Sequence, residues 1–132
     1  MDSETENLLI KKAIEVRDRA YAPYSSFKVG AALLLADGET VITGCNVENA
    51  SYGLAICAER NAICTAVAAG HPKFAAIVVA ASPLASPCGA CRQFIVEFGK
   101  QIEVISVDAD DPAKILRWSS GDLIPDSFEL DR

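Results

Sequence analysis

The sequence lacks a cluster of basic residues and an apolar run long enough to cross a bilayer. Among its 132 residues, 18 Asp and Glu outnumber 12 Lys and Arg, which gives a formal net charge of −6. Proteins that bind nucleic acid neutralise phosphates with Lys and Arg, so this acidic balance predicts no nucleic-acid partner. A membrane span needs about 20 apolar residues in succession, so we expect no membrane partner either. A small substrate of little charge suits this composition better.

The start of the chain also lacks the features of a secretion signal. Residues 1–7 are acidic and polar, without a basic region followed by an apolar one. We therefore expect a cytoplasmic protein. The chain has one histidine, His71, and an odd number of cysteines in that reducing compartment, which disfavours a disulfide framework and favours metal binding or catalysis. The cysteines are Cys45, Cys57, Cys64, Cys88 and Cys91.

The length and the pattern of the chain predict one domain, residues 1–132. Helical spacing of apolar residues predicts a first helix near residues 9–20 that ends before Pro23. Asp37-Gly38 lies between two strand-like runs, residues 29–35 and 41–45, and indicates a hairpin. An alanine-rich helix over residues 55–69 follows, and it ends at Gly70.

The second half alternates between strands and a helix. Residues 74–81 and 102–107 are predicted strands, and between them Ser86 as the N-cap and Pro87 as the first residue predict a helix over 88–98. Residues 114–119 fit a last strand or a short helix. Strand–helix–strand alternation implies parallel pairing. The predicted fold is thus an α/β three-layer sandwich whose mixed central sheet, an antiparallel hairpin plus parallel strands, is covered by helices on both faces.

The most informative local motif is Pro87-Cys88-Gly89-Ala90-Cys91. Residues three apart share a face of a helix, so both sulfurs can reach one metal ion. In the first turn, free backbone N–H groups and the helix dipole stabilise thiolates. A redox pair or a purely structural role are the alternatives for such a spacing. The metal is favoured because no second feature supports a redox site.

A second motif, Cys57-Ala58-Glu59-Arg60, adds a third thiol close to an acid. Three thiolates leave one position of a tetrahedral zinc ion open, which is typical of catalytic rather than structural sites. Glu59 is too close to Cys57 to share the metal easily, so we expect it to be a general acid and base at the open position. Taken alone, Glu59 is equally compatible with an ordinary first-turn glutamate.

Together these motifs follow the pattern of zinc-dependent nucleobase deaminases. With the further segments, the sequence resembles the small homotetrameric cytidine deaminases along nearly its whole length. The matching segments are Tyr24-Ser25-Ser26-Phe27-Lys28-Val29-Gly30-Ala31-Ala32, Asn46-Val47-Glu48-Asn49-Ala50-Ser51-Tyr52, Cys57-Ala58-Glu59-Arg60-Asn61-Ala62-Ile63, Pro87-Cys88-Gly89-Ala90-Cys91-Arg92-Gln93 and Leu123-Ile124-Pro125-Asp126-Ser127-Phe128.

The resemblance implies a hydrolytic enzyme of pyrimidine salvage that converts cytidine and 2′-deoxycytidine to uridine or deoxyuridine and ammonia. It implies one Zn²⁺ per chain on Cys57, Cys88 and Cys91. Zinc-bound hydroxide would attack C4, and Glu59 would shuttle the protons. Arg60 would donate hydrogen bonds to the thiolates and withdraw charge from them, and Gln93 would help in the same outer layer of the site.

The same resemblance implies a nucleoside site shared between the subunits of a homotetramer. Four residues of one subunit would bind the substrate: Phe27 against the pyrimidine, Asn46 and Glu48 at the ribose hydroxyls, and the backbone of Ala58 at the base edge. Tyr52 and Phe128 would complete a neighbouring subunit's pocket. Taken alone, Asn46 and Glu48 are equally compatible with an ordinary polar loop, and Phe27 with a core aromatic residue before a strand.

Other activities remain alternatives on sequence alone. Deaminases of related nucleosides such as blasticidin S have the same zinc motifs, whereas a deoxycytidylate deaminase should show phosphate-binding basic residues. A non-catalytic zinc module would need a fourth protein ligand. Only Cys45, Cys64 and His71 are available for it, and we expect the two cysteines to be buried apolar residues and His71 to lie at the surface.

Overall fold

Three α-helices and five strands make up residues 1–131, the part of the chain that the computed structural model describes. A short 3₁₀ turn at Tyr52–Leu54 precedes the second helix. The elements are α1 (Ser3–Arg17), β1 (Gly30–Leu35), β2 (Val41–Cys45), α2 (Ala58–Ala68), β3 (Phe74–Ala81), α3 (Gly89–Val96), β4 (Glu103–Asp108) and β5 (Ile115–Ser119).

The strands form one mixed sheet in the order β2-β1-β3-β4-β5. Only β3 and β4 pair in parallel, and the other three pairs are antiparallel. This confirms the α/β class and the mixed sheet, although it contains fewer parallel pairs than the alternation suggested. The reason is that β1 lies between its hairpin partner and β3 and is antiparallel to both. No helix in residues 1–131 is long and apolar enough to cross a membrane.

Helices cover both faces of the sheet, as predicted. Leu9 and Ala13 of α1 pack on one face, against residues such as Val78 and Ile105. On the other face, Ala62 of α2 and Ile95 of α3 pack against a second cluster. The strands β1, β3 and β4 are covered on both sides, and this explains their nearly continuous apolar sequences.

The boundaries of the first two helices differ from the prediction for local reasons. Helix α1 begins at Ser3, because the Asp2 side chain caps it by accepting from the Thr5 N–H at 2.7 Å. Its last turn tightens into i→i−3 bonds before Tyr21. Helix α2 begins only at Ala58, because Ile56 exchanges backbone hydrogen bonds with Val47 and is held in an extended conformation.

Helix α3 is capped by a different residue from the one predicted. Its N-cap is Cys88, whose sulfur accepts from the Cys91 N–H at 3.5 Å, so Ser86 and Pro87 lie outside the helix. Of residues 114–119, which fitted a strand or a short helix, 115–119 form β5, an edge strand antiparallel to β4. The hairpin turn at Gly38 and the left-handed Gly70 after α2 agree with the prediction, with φ values of 75° and 90°.

Candidate active site

Two helix N-termini meet beside the end of β3 and bring three thiols together. Cys57 is the N-cap of α2 and Cys88 is the N-cap of α3, while Cys91 lies in the first turn of α3. The sulfurs of Cys57 and Cys88 are 3.7 Å apart, and all three sulfurs lie within 4.8 Å of one another. In α/β proteins, reactive groups commonly converge where strands end and helices begin, as these thiols do.

The spacing of these sulfurs fits a tetrahedral zinc ion. Zinc–sulfur bonds of about 2.3 Å in a tetrahedron place two sulfurs about 3.8 Å apart, close to the observed Cys57–Cys88 separation of 3.7 Å. Within residues 1–131, the cluster contains three ligand side chains and no fourth. Such a donor set leaves one coordination position for a water or a substrate, as catalytic zinc sites do.

Arg60 lies behind the thiols, one helical turn after Cys57. Its Nη2 donates to the Cys57 sulfur at 3.4 Å, and this contact, followed by one with Cys91, raises the pKa of the guanidinium. The Arg60 Nε is buried and has no hydrogen-bond partner in the described chain. An unpaired buried donor beside three sulfurs indicates a site built for negative charge.

The thiols differ in how readily they ionise. A hydrogen bond from Cys91 lowers the pKa of Cys57, and Arg60 and Cys88 add to the effect. Its contact with Cys57, followed by burial, raises the pKa of the Cys91 thiol. A cation that binds all three sulfurs must displace the proton of Cys91.

Glu59 is an acid enclosed next to the thiols. It is only 4% exposed, although it belongs to the first turn of a helix. Burial raises the pKa of its carboxyl, and the charge of Cys57 raises it further. A carboxyl that binds a proton more tightly than an ordinary glutamate, placed at the open side of a metal site, is suited to proton transfer.

A cavity of about 280 Å³ opens onto Cys57, Cys88 and Glu59. Its wall is largely apolar, and Phe27, which is 37% exposed, contributes an aromatic face to it. The residues that line it are Phe27, Val29, Asn46, Cys57, Ala58, Glu59, Val79, Ala81, Ala85, Ser86 and Cys88. Of the predicted substrate-binding residues, the structure thus places Phe27, Asn46 and Ala58 in one wall.

Comparison with known proteins assigns this arrangement to a family. Residues 3–107 match the family model described as the cytidine and deoxycytidylate deaminase zinc-binding region. The chain belongs to this deaminase family. It is 45% identical to a probable cytidine deaminase of Dictyostelium discoideum over 131 residues, which are 97% of this chain and 86% of that protein. It is 43% identical to the cytidine deaminase of Mycobacterium tuberculosis over 127 residues, 95% of this chain and 90% of that one.

A solved structure agrees with the sequence relatives. The crystal structure of cytidine deaminase from Burkholderia pseudomallei superposes with a TM-score of 0.87 at 48% identity. The match covers 97% of this chain and all of that chain. The family resemblance carried by the motifs is therefore confirmed across both halves of the chain.

In this deaminase, Asn46 and Glu48 are already engaged by their own surroundings. Asn46 Oδ1 accepts from the Val29 N–H at 2.8 Å, and its Nδ2 donates to the Phe27 carbonyl at 2.9 Å. The Asn46 side chain thus fixes the backbone on both sides of Lys28 and holds Phe27 in the cavity wall. Glu48 does not line that cavity; its carboxylate accepts from the Ser25 hydroxyl and from the Tyr24 N–H at 2.9 Å. These bonds, led by the one from Ser25, lower the pKa of Glu48.

The two residues predicted to serve a neighbouring pocket are among the most exposed of the apolar side chains. Tyr52 is 80% exposed and Phe128 is 68% exposed. Tyr52 lies beside Tyr24, with ring centroids 6.4 Å apart, in a shallow depression that also contains Glu48. Gln93 does not contact a thiol in the described chain; its Nε2 donates to the Phe128 carbonyl at 3.1 Å.

The spare metal-ligand candidates lie apart from the thiol cluster. Cys64 is exposed and Cys45 is only half-buried, so the expectation of burial was wrong for Cys64 and is met only in part for Cys45 in the single chain. It lies on the outer face of α2, which no other element covers in one chain. His71 is exposed after the helix end, as expected, and its N–H donates to the Ala66 carbonyl.

Sequence reasoning missed Arg92, which follows the last thiol. It donates to the Pro87 carbonyl at 2.8 Å, to the Leu123 carbonyl at 3.0 Å and to the Ser86 hydroxyl at 3.2 Å. These bonds tie the loop that carries Cys88 to the C-terminal segment. An arginine directly after a metal-binding motif was the available signal, but its partners depend on tertiary structure.

Proposed function

We propose that this chain is a zinc-dependent hydrolytic deaminase that converts cytidine, and 2′-deoxycytidine, to uridine or deoxyuridine and ammonia. The observation that carries the proposal is that one apolar cavity opens onto both Cys57 and Cys88 of the three-sulfur cluster and the enclosed carboxyl of Glu59. When bound by Cys57, Cys88 and Cys91, a zinc ion supplies the Lewis acidity that activates water near neutral pH.

The chain's own residues then perform the proton transfers. Glu59 removes a proton from the attacking water and delivers it to N3 of the pyrimidine, while the water oxygen bonds to C4. It takes the second proton of that oxygen and gives it to the amino group, and ammonia leaves as the C4–N bond breaks. Phe27 and the backbone of Ala58 in the same wall hold the ring in place, while Arg60 offsets the charge of the sulfurs. Gln93 is the further proposed support of the thiolates.

The wall of the cavity favours a nucleoside over a nucleotide. Its described lining contains no Lys or Arg, so it offers no cation to a phosphate. The net charge of −6 also disfavours a nucleic-acid strand. The mainly apolar lining suits the faces of a pyrimidine. Asn46 and Glu48 are the proposed partners of the ribose hydroxyls, for which they would exchange hydrogen bonds that they now make within the chain.

We further propose a cytoplasmic homotetramer of single-domain subunits, residues 1–132, that acts in pyrimidine salvage. The exposure of Tyr52 and Phe128 supports shared active sites, because large apolar side chains at a surface often mark subunit contacts. A mixture of two variants tests the sharing. Glu59→Gln and Phe128→Ala should each be poorly active alone. Mixed subunits should regain activity, because one supplies Glu59 to the pocket that the other closes. Absence of recovery in verified mixed oligomers would contradict the sharing.

The reaction is tested by uridine formation from cytidine with purified, zinc-loaded protein. The variant Glu59→Gln should retain its zinc and lose most turnover, since the amide neither takes up nor delivers the proton. Glu4→Gln, a change at an exposed glutamate of α1, is the matched control and should keep full activity. A folded wild type with one zinc per chain and no turnover of cytidine would overturn the assignment.

A further inference from the structure

The backbone of β2 touches the backbone of α2 at Gly44. A Cβ added to this glycine would lie 2.5 Å from the Ala62 nitrogen and 2.8 Å from the Ala58 oxygen. Both distances are shorter than real Cβ contacts, and both partners are main-chain atoms that cannot rotate away. The helix and the strand are therefore closer together here than any other residue type at position 44 would permit.

A hydrogen bond fastens the same two elements together. Asn61 Nδ2 donates at 2.8 Å to the carbonyl of Cys45, the residue after Gly44. Ala58 and Ala62 are fully buried against the sheet at this point. Contact at Gly44 and the bond from Asn61 thus set the distance of the first turn of α2 from the sheet.

That turn carries half of the active site. Cys57 is its N-cap, and Ala58 and Glu59 are its first two residues. The other two thiols lie at the start of α3, which packs mainly on α2 but is also fastened to the rest of the chain. Ile95 is buried in the core cluster on the sheet, and Arg92 donates to the Leu123 carbonyl at 3.0 Å. These ties hold α3 when α2 shifts at Gly44, so the shift would move Glu59 and Cys57 relative to Cys88 and Cys91.

We propose that Gly44 is a positioning residue for the deamination: by admitting α2 to backbone contact, it places Glu59 and Cys57 against the thiols of α3. The proposal rests on the proposed function for its catalytic consequence. Gly44 itself does not line the cavity; its neighbours are the paired Ala31 of β1 and the backbone of Ala58 and Ala62 in α2.

The substitution Gly44→Ala measures this consequence. Relief of the 2.5 Å overlap to ordinary van der Waals contact requires the helix to move by roughly 1 Å, and a misplacement of that size can cost about 100-fold in rate. We expect kcat per bound metal to fall by about 100-fold and KM to rise by a smaller factor, because Ala58 moves with the helix whereas Phe27 on the opposite part of the wall stays in place. The Co²⁺-substituted protein should also show shifted absorption bands, since these report the arrangement of the three sulfurs.

Gly30 supplies a matched control on the opposite face of the sheet. A Cβ there would lie 2.0 Å from the Ala13 oxygen of α1, so Gly30→Ala introduces the same kind of overlap away from the thiols. We expect it to lower the melting temperature, but to keep the wild-type cobalt spectrum and the wild-type kcat per bound metal. A loss of stability alone would act alike in both variants, whereas a positioning role separates them.

A second variant covers the case in which Gly44→Ala does not fold. Asn61→Ala removes the tether without an overlap and leaves the backbone contact at Gly44 in place, so kcat should fall by about fivefold, less than in Gly44→Ala. Wild-type kcat and cobalt spectrum in both variants, or in Asn61→Ala when it is the one that folds, would overturn the proposal. If the wild type fails to deaminate cytidine, the proposed function fails, while the cobalt spectra still test the placement of α2.

Discussion

The side-chain amide of Gln93 donates a hydrogen bond to the carbonyl oxygen of Phe128, 35 positions further along the chain. Gln93 lies two residues after the thiol of Cys91 in α3, and Phe128 belongs to the C-terminal segment. Arg92, the residue between Cys91 and Gln93, donates to Leu123 of the same segment. The helix that carries two thiols thereby also fixes the path of the segment that presents Phe128 to solvent.

This bond gives Gln93 a role that can be separated from support of the thiolates. Gln93→Met keeps the volume of the side chain and removes the donor, so the segment around Phe128 loses a bond of about 1 kcal/mol. If Phe128 closes a substrate pocket, KM for cytidine should rise about fivefold, with kcat and zinc content close to wild type. Steady-state kinetics and metal analysis check this. A lower kcat and a weaker hold on zinc at unchanged KM would instead place the function of Gln93 at the sulfurs.

The cation at Arg60 should control the charge of the sulfur cluster. Arg60→Gln removes the donor that lies 3.4 Å from the Cys57 sulfur. Loss of such an outer partner typically costs about 10- to 100-fold in metal affinity or activity. We expect kcat/KM to fall within that range, measured on protein loaded with stoichiometric zinc. Arg19→Gln, which removes an exposed cation beyond α1, is the control. Equal behaviour of the two variants would show that the sulfur contact has no function.

Metal content should distinguish the clustered thiols from the spare one. Cys91→Ser removes a buried member of the cluster, whereas Cys64→Ser alters an exposed thiol outside it. After dialysis against a chelator, we expect Cys64→Ser to retain one zinc per chain and Cys91→Ser to lose most of it, because two thiolates hold zinc poorly. Atomic absorption of the dialysed proteins measures this. Zinc retained by Cys91→Ser would mean that another side chain completes the site.

The hairpin turn should make stability depend on acidity. Hydrogen bonds from the Thr40 hydroxyl and N–H, and from the Glu39 N–H, lower the pKa of Asp37 from 3.8 to about 2. A lowered carboxyl pKa adds stability above the unfolded value, and this contribution disappears as the pH falls through the folded value. The difference in melting temperature between wild type and Asp37→Ala should therefore be constant above about pH 5 and shrink between about pH 4 and pH 2.

A control separates this turn from a general effect of charge. Asp131→Ala removes an exposed carboxylate for which the structure gives no hydrogen bond in residues 1–131. It should alter the melting temperature little at any of these pH values. A constant difference between wild type and Asp37→Ala down to pH 2 would contradict the role of the turn.

The parts of the site that depend on local spacing could be predicted from the sequence. Cys88 and Cys91 are one helical turn apart, and Cys57 and Glu59 share the start of a helix, so residue types and spacing alone indicated metal and acid. The prediction of Ser86 as the N-cap of α3 was wrong for a related reason. Ser86-Pro87 has the usual composition of a helix start, but the sulfur of Cys88 takes the capping role because the helix begins at the thiol cluster.

The rest depends on contacts between distant segments, which periodicity does not report. The bonds of Asn46 to the backbone around Phe27, and of Glu48 to Ser25, join residues about 20 positions apart. The edge strand β5 is only partly buried, so residues 115–119 carried too little pattern to choose between strand and helix. The close approach at Gly44 has no sequence signature at all, since glycine in a strand has several causes.

The contact between Gly44 and α2 has a consequence for engineering altered substrate preference. A mutant library restricted to the cavity lining would never sample position 44, because this residue lies outside that wall. A library over the whole chain would show position 44 as intolerant, without any substrate contact to explain it. Paired diversification of Gly44 with Ala58 and Ala62 would not restore tolerance either, since the overlapping helix atoms belong to the main chain and are the same for every residue type. Under this proposal, the geometry of the active site depends on a residue of β2 that does not line the substrate cavity.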